Sequence, residues 1–180
     1  YYKFQGTLKR MGDFETADYV MTNTGFQENN ISFKAGMNRI DHGFEIYYSL
    51  FSNQIGILRS SHAHTAIDII IAINNETPSV IEEFSYDINI PRQKISHNLV
   101  KIKAFKNFNF GKLSMRYDYQ VNDRKEFDIR RQDYIKKPAL DLDLQTHSLA
   151  LDIESKFDGS SNFKAGVSGR YQKNFPDPAT

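Results

Sequence analysis

From Leu113 to Asn122 hydrophobic and polar positions alternate without a break. Leu113, Met115, Tyr117, Tyr119 and Val121 fall on one side, and Ser114, Arg116, Asp118, Gln120 and Asn122 on the other. A period of two over such a run predicts a β-strand with one apolar and one polar face. Val100, Ile102 and Ala104 alternate in the same way with Lys101, Lys103 and Phe105. The turn-prone run Lys106–Gly111 joins the two arms into a hairpin over Asn98–Asn122. Arms of about ten residues exceed the usual five or six of a soluble strand and match what a tilted, bilayer-spanning strand needs.

The same pattern predicts five further strands: Tyr1 to about Met11, Asn30–Arg39, Phe44–Leu58, Thr146–Phe157 and Phe163–Tyr171. On the fourth of these Leu149, Leu151 and Ile153 share the apolar side. Between strands, short turns near 41–43, 107–111 and 158–162 alternate with long polar loops near 12–28, 59–97 and 123–145. All short turns then fall at one end of an antiparallel sheet and all long loops at the other, as in transmembrane barrels of the bacterial outer membrane. Within the 59–97 segment, Ala66, Ile69, Ile70 and Ile73 share a face at helical spacing, so a short helix over Ala63–Asn75 competes with a strand. Seven strands is an odd number, whereas single-chain bacterial barrels close on an even one. With Tyr1-Tyr2-Lys3-Phe4 reading as mid-strand and the chain stopping in a turn-like run, the expectation is a segment of a larger barrel.

Composition narrows the classes of function. With 180 residues and a net charge of +1, no basic field points to nucleic acid. The 24 aromatics, 10 Tyr and 14 Phe, suit interfacial girdles and equally an ordinary β core. The absence of Cys removes disulfides, thiolate metal sites and Cys nucleophiles. No apolar run is long enough for a membrane helix, which an outer-membrane barrel does not need. No Gly-rich phosphate loop or nucleophile elbow is present, so neither an enzyme nor a cofactor is expected.

The runs Gly43–Phe51, Ile55–His62, Phe84–His97 and Arg124–Arg131 resemble the barrel region of TonB-dependent outer-membrane receptors. The resemblance extends over nearly all of the chain. It implies a 22-stranded antiparallel barrel of which residues 1–180 form part, with long extracellular loops and no plug domain in this stretch. It further implies import of a scarce nutrient, most often a ferric siderophore. The implied partners are outer-membrane lipid, an extracellular small-molecule ligand, and the TonB complex, which acts through an N-terminal part absent here.

Within that frame the candidate ligand-binding residues are those expected in the long loops: Arg59, His62, His64, Arg92, His97, Arg124, Arg130 and Arg131. Arg presents a planar fork of donors suited to an anionic ligand. The competing expectation is that these arginines pair with neighbouring Asp and Glu residues, which the balanced charge favours. His62 and His64 would share a face on a strand as a metal pair, and His97 closes the same loop, but loop histidines are more commonly ordinary polar residues. Asp68 among isoleucines is either a buried carboxylate or the solvent side of an amphipathic turn. Arg116, Asp118, Asp152, Glu154, Lys164 and Arg170 are expected to form a polar wall. Two other architectures fit the pattern, a complete eight-stranded barrel acting as an adhesin or structural protein and a soluble β-sandwich binding module.

Overall fold

The computed structural model describes residues 1–61, 65–128, 137–157 and 161–177. Seven long strands form one antiparallel sheet: β1 (Tyr2–Met11), β4 (Phe26–Asn38), β5 (His42–Gly56), β6 (Arg92–Phe108), β7 (Gly111–Phe127), β8 (Leu140–Phe157) and β9 (Ser161–Asp177). Each pairs with its neighbour in chain order, β1-β4-β5-β6-β7-β8-β9. The all-β antiparallel class and the seven-strand count therefore match the alternation. The sheet is open: β1 and β9 each have one neighbour, and no closed barrel of eight or 22 strands is formed.

Register assigns the two faces. One row runs Phe4, Phe33, Tyr48, Val100, Tyr119, His147 and Tyr171 across all seven strands. The row beside it toward the short turns runs Tyr2, Ala35, Ile46, Ile102, Tyr117, Leu149 and Gly169. Side chains one residue out of phase with these occupy the opposite face and are mostly polar. Among the described residues Pro91 is buried in the loop region, and no large aliphatic or aromatic side chain is. The described residues thus form a single large layer, with no second long-stranded sheet packed on its apolar face.

Several loops predicted from composition are strand instead. β6 begins at Arg92 rather than Asn98, β7 continues to Phe127, and β8 begins at Leu140 rather than Thr146. At these ends the outward alternation is lost: on β8 Leu140, Leu142 and Leu144 sit on the polar face while Asp141 and Asp143 sit on the apolar one. Backbone pairing carries the strands on where side-chain pattern no longer announces them.

Two short turns are within the described residues, at residues 39–41 and 109–110; the third lies outside them. In the second, Gly111 opens β7 at φ 148°, a conformation L side chains rarely adopt. The long connections gather at the other end. The first contains a small hairpin, β2 (Phe14–Glu15) with β3 (Val20–Met21). The second contains a 3-10 turn at Arg59–Ser61 and a helix, α1 (Ala66–Asn74). Its capping box explains Asp68, whose carboxylate accepts from the Thr65 amide at 2.8 Å, while the Asp68 amide donates to Thr65 Oγ1 at 3.1 Å. No helix among the described residues is long and apolar enough to cross a membrane, a test that does not bear on strands.

Candidate functional site

The apolar face carries a belt that crosses the strands obliquely. On β7 it runs from Leu113 to Val121, nine positions, or about 26 Å at ~3.3 Å per residue. On β1 it reaches up to Leu8, whose row on β7 and β8 is Asp123 and Asp143. On β9 the continuous apolar run starts at Phe163 and ends at Tyr171, whose row on β1 is Phe4. The upper margin thus drops four residues, from Leu8 to the level of Phe4, as the sheet is crossed. Above the belt the same face turns charged, with Lys94, Lys125, Asp123, Asp141 and Asp143. Lys125 bridges Asp123 at 3.3 Å and Asp141 at 3.4 Å.

On the polar face two carboxylates are each shared by two cations. Glu45 of β5 takes Lys34 Nζ at 2.5 Å and Lys103 Nζ at 3.5 Å, and accepts a hydrogen bond from the Tyr1 hydroxyl at 3.0 Å. Asp118 of β7 takes Lys101 Nζ at 3.6 Å and Arg116 Nε at 3.1 Å. A groove of about 350 Å³ opens over Lys3, Lys34, Glu45, Tyr47, Lys101 and Lys103. Glu45 and the lysines opposite it were not singled out by the sequence pattern. Their signal was available, since all share the parity of Arg116 and Asp118 once the strands are placed in register.

The loop end is an ordered cap. Asn23, at φ 66° and 3% exposed, donates from Nδ2 to the carbonyls of Ile57 at 2.9 Å and Pro91 at 2.7 Å. Its Oδ1 accepts from the Asn89 amide at 2.7 Å. Thr22 Oγ1 accepts from the Glu82 amide at 2.9 Å, and the Asp13 amide donates to the Ser85 carbonyl at 2.9 Å. Gly56 passes against the Asn23 carbonyl too closely to admit a Cβ. The loop between β1 and β4 is thereby stitched to the one between β5 and β6.

Of the loop residues expected to hold a ligand, the four described ones, Arg59, Arg92, His97 and Arg124, each have separate partners. Arg59 pairs with Glu82 at 2.7 Å on the cap. Arg92 is not a loop residue but the first of β6, with its guanidinium over the Phe127 ring at 5.0 Å and donating to the Ile88 carbonyl at 3.2 Å. His97 lies within β6 on the polar face, its Nε2 3.3 Å from Gln120 Oε1. Arg124 lies within β7 and binds Glu126 through Nη2 at 2.6 Å and Nε at 3.1 Å. His62, His64, Arg130 and Arg131 lie outside the described residues. For Arg59 and Arg124 the pairing with neighbouring acids is what the structure shows. Expected as a wall, Arg116, Asp118, Asp152 and Arg170 do share the polar face. Comparison with protein-family models, with curated proteins and with solved structures gives no match to this chain.

Proposed function

We propose that these strands form part of the wall of a bacterial outer-membrane receptor barrel that captures and imports a scarce nutrient. The observation that carries this reading is the oblique belt on a sheet without an internal core. Of the large apolar side chains exposed on the described part of the chain, Phe4, Leu8, Phe33, Tyr48, Leu149 and Tyr171 are among those that stand together on this one face of the sheet, a contiguous apolar surface of the kind a soluble monomer rarely exposes. Lipid is the solvent that suits such a belt, and the opposite polar face then lines a lumen. The two unpaired edges are a liability in any open sheet and are removed by further strands that close the barrel.

In this reading the short turns face the periplasm and the cap faces outward, where the stitched loops present a surface to the medium. The wall contributes binding and passage, not chemistry. A TonB-dependent receptor, with a ferric siderophore or a similar iron complex as cargo, is the class the sequence resemblance implies. The test is fractionation of the native polypeptide followed by electrophoresis with and without boiling. Recovery in outer membranes and faster migration of the unboiled protein are expected. A protein recovered in aqueous extracts without detergent, migrating identically in both states, would exclude a barrel.

A further inference from the structure

One register row of the polar face holds Lys3, Lys34, Tyr47, Lys101, Asp118, Ser148 and Arg170, one residue from each of the seven strands. Four of the seven are cations and one is an anion. The row on its short-turn side adds Lys103 and Arg116 against Glu45. Together these two rows hold six cations and two carboxylates. The row on the cap side, from Gln5 on β1 to Gln172 on β9, carries no formally charged side chain.

Two like-charged pairs stand directly opposite each other, Lys3 with Lys34 and Lys103 with Arg116. Such pairs destabilise a sheet unless something compensates them. Within the chain the compensation is partial. Glu45 and Asp118 serve Lys34, Lys103, Lys101 and Arg116, while Lys3 and Arg170 have no acidic partner among the described residues. The groove over Lys3, Lys34, Lys101 and Lys103, which Glu45 also lines, is open to solution, so its lining holds four cations and one carboxylate.

We propose that this row is a binding track for a small polyanion, a solute bearing carboxylate or phosphate groups, on the lumen wall. The proposal rests on the barrel reading above and gives the charge class of the solute handled there. Strands stand about 4.8 Å apart, so Lys3 and Lys101 are separated by roughly 14 Å across the sheet, a span two anionic groups of one solute can bridge. Relative to the belt the row climbs, from within it at Lys3 on β1 to its upper margin at Arg170 on β9. Lysine suits this use because its ammonium is a mobile point charge without a fixed hydrogen-bonding plane. Several moderate sites in sequence favour entry without trapping the solute, the arrangement found where charged rings select anions.

The experiment is calorimetric titration of the native full-length polypeptide in detergent with citrate and, separately, inorganic phosphate, at low and at high salt. Citrate is expected to bind more tightly than phosphate and to weaken with salt. The double variant Lys34→Gln/Lys101→Gln is expected to lose about tenfold in citrate affinity. Lys94→Gln, on the opposite face, should leave it unchanged, and Asp118→Asn should raise it. Equal citrate affinity in wild type and double variant would overturn the track, as would no binding by a wild type that migrates as an intact barrel. Absence of heat-modifiable migration would instead remove the barrel reading, and the lumen track with it.

Discussion

The side chain of Asn23 donates a 2.7 Å hydrogen bond to the carbonyl of Pro91, sixty-eight residues away in the chain. With its bonds to Ile57 and Asn89, this makes one buried amide the junction of the β1–β4 and β5–β6 loops. Asn also tolerates the left-handed backbone found there, at φ 66°. Asn23→Ala should therefore cost about 2–4 kcal/mol of local stability, since several buried polar groups lose partners at once. Limited proteolysis should show faster cutting within 57–91 and unchanged resistance in β6 and β7. Asn23→Gly, which keeps the backbone but not the bonds, should behave nearly as badly. Wild-type resistance in both variants would mean the junction does not hold the cap.

Arg59 and Glu82 make the opposite case on the same cap. Their 2.7 Å pair is half-exposed on both sides, and exposed pairs contribute only about 0–1 kcal/mol. Glu82→Gln should leave the same proteolysis pattern within error. Loop opening as large as in Asn23→Ala would show that the surface pair, not the buried amide, locks the cap.

Leu149 and Ser148 are adjacent on β8 but face opposite ways. In a lipid-embedded barrel, Leu149→Arg should cost about 2–4 kcal/mol near the midplane. Ser148→Arg points to the polar face and should cost under about 1 kcal/mol. Urea unfolding of the two variants in lipid vesicles separates them. Equal costs, or the reverse order, would contradict the assignment of faces.

Asp41, in the turn between β4 and β5, has its carboxyl held below the ordinary carboxylate range. The chief cause is the hydrogen bond with His42, whose Nδ1 lies 2.8 Å away; its own backbone and the charge of Lys106 add to it. A lowered folded-state value gives stability that is complete above the unfolded pKa of about 3.9 and is lost as pH falls through the folded one. The Asn107 amide donates to the Asp41 carbonyl at 2.7 Å and reports on this turn. After correction for intrinsic rates, its hydrogen-exchange protection should be flat from neutral pH to about pH 4 and decline below. Asp41→Asn should remove that decline. An identical acid response in the variant would rule out Asp41 as the titrating group.

The sequence was most legible where the two faces meet different surroundings. Leu113 to Val121 alternates cleanly because one side of β7 belongs to the belt and the other to the charged wall, so both strand and facing could be read. Above the belt on β6 and β7 both faces are largely polar and the contrast disappears. That is why Arg92, His97 and Arg124 were expected in loops although they sit in ladders. Leu140, Leu142 and Leu144 show a reversed phase, apolar residues on the polar face, which resembles no amphipathic strand. The small β2–β3 hairpin has two residues per strand, too few for any period. Asn23 gave no sign of its role, since three bonds to positions 57, 89 and 91 exist only once the loops are folded together. The Glu45 and Asp118 clusters needed the register, which alternation within one strand does not supply.

The most direct measurement takes single cysteines from residue 114 to residue 121 of β7, each spin-labelled in the native polypeptide reconstituted in vesicles. The accessibility of each label to oxygen and to a water-soluble nickel chelate is then recorded. Labels at Met115, Tyr117, Tyr119 and Val121 should collide with oxygen and be shielded from nickel, as lipid-facing sites are. Labels at Ser114, Arg116, Asp118 and Gln120 should show the reverse. Protection of the first set from both reagents would mean that protein, not lipid, covers the apolar face, and would contradict the outer-membrane wall.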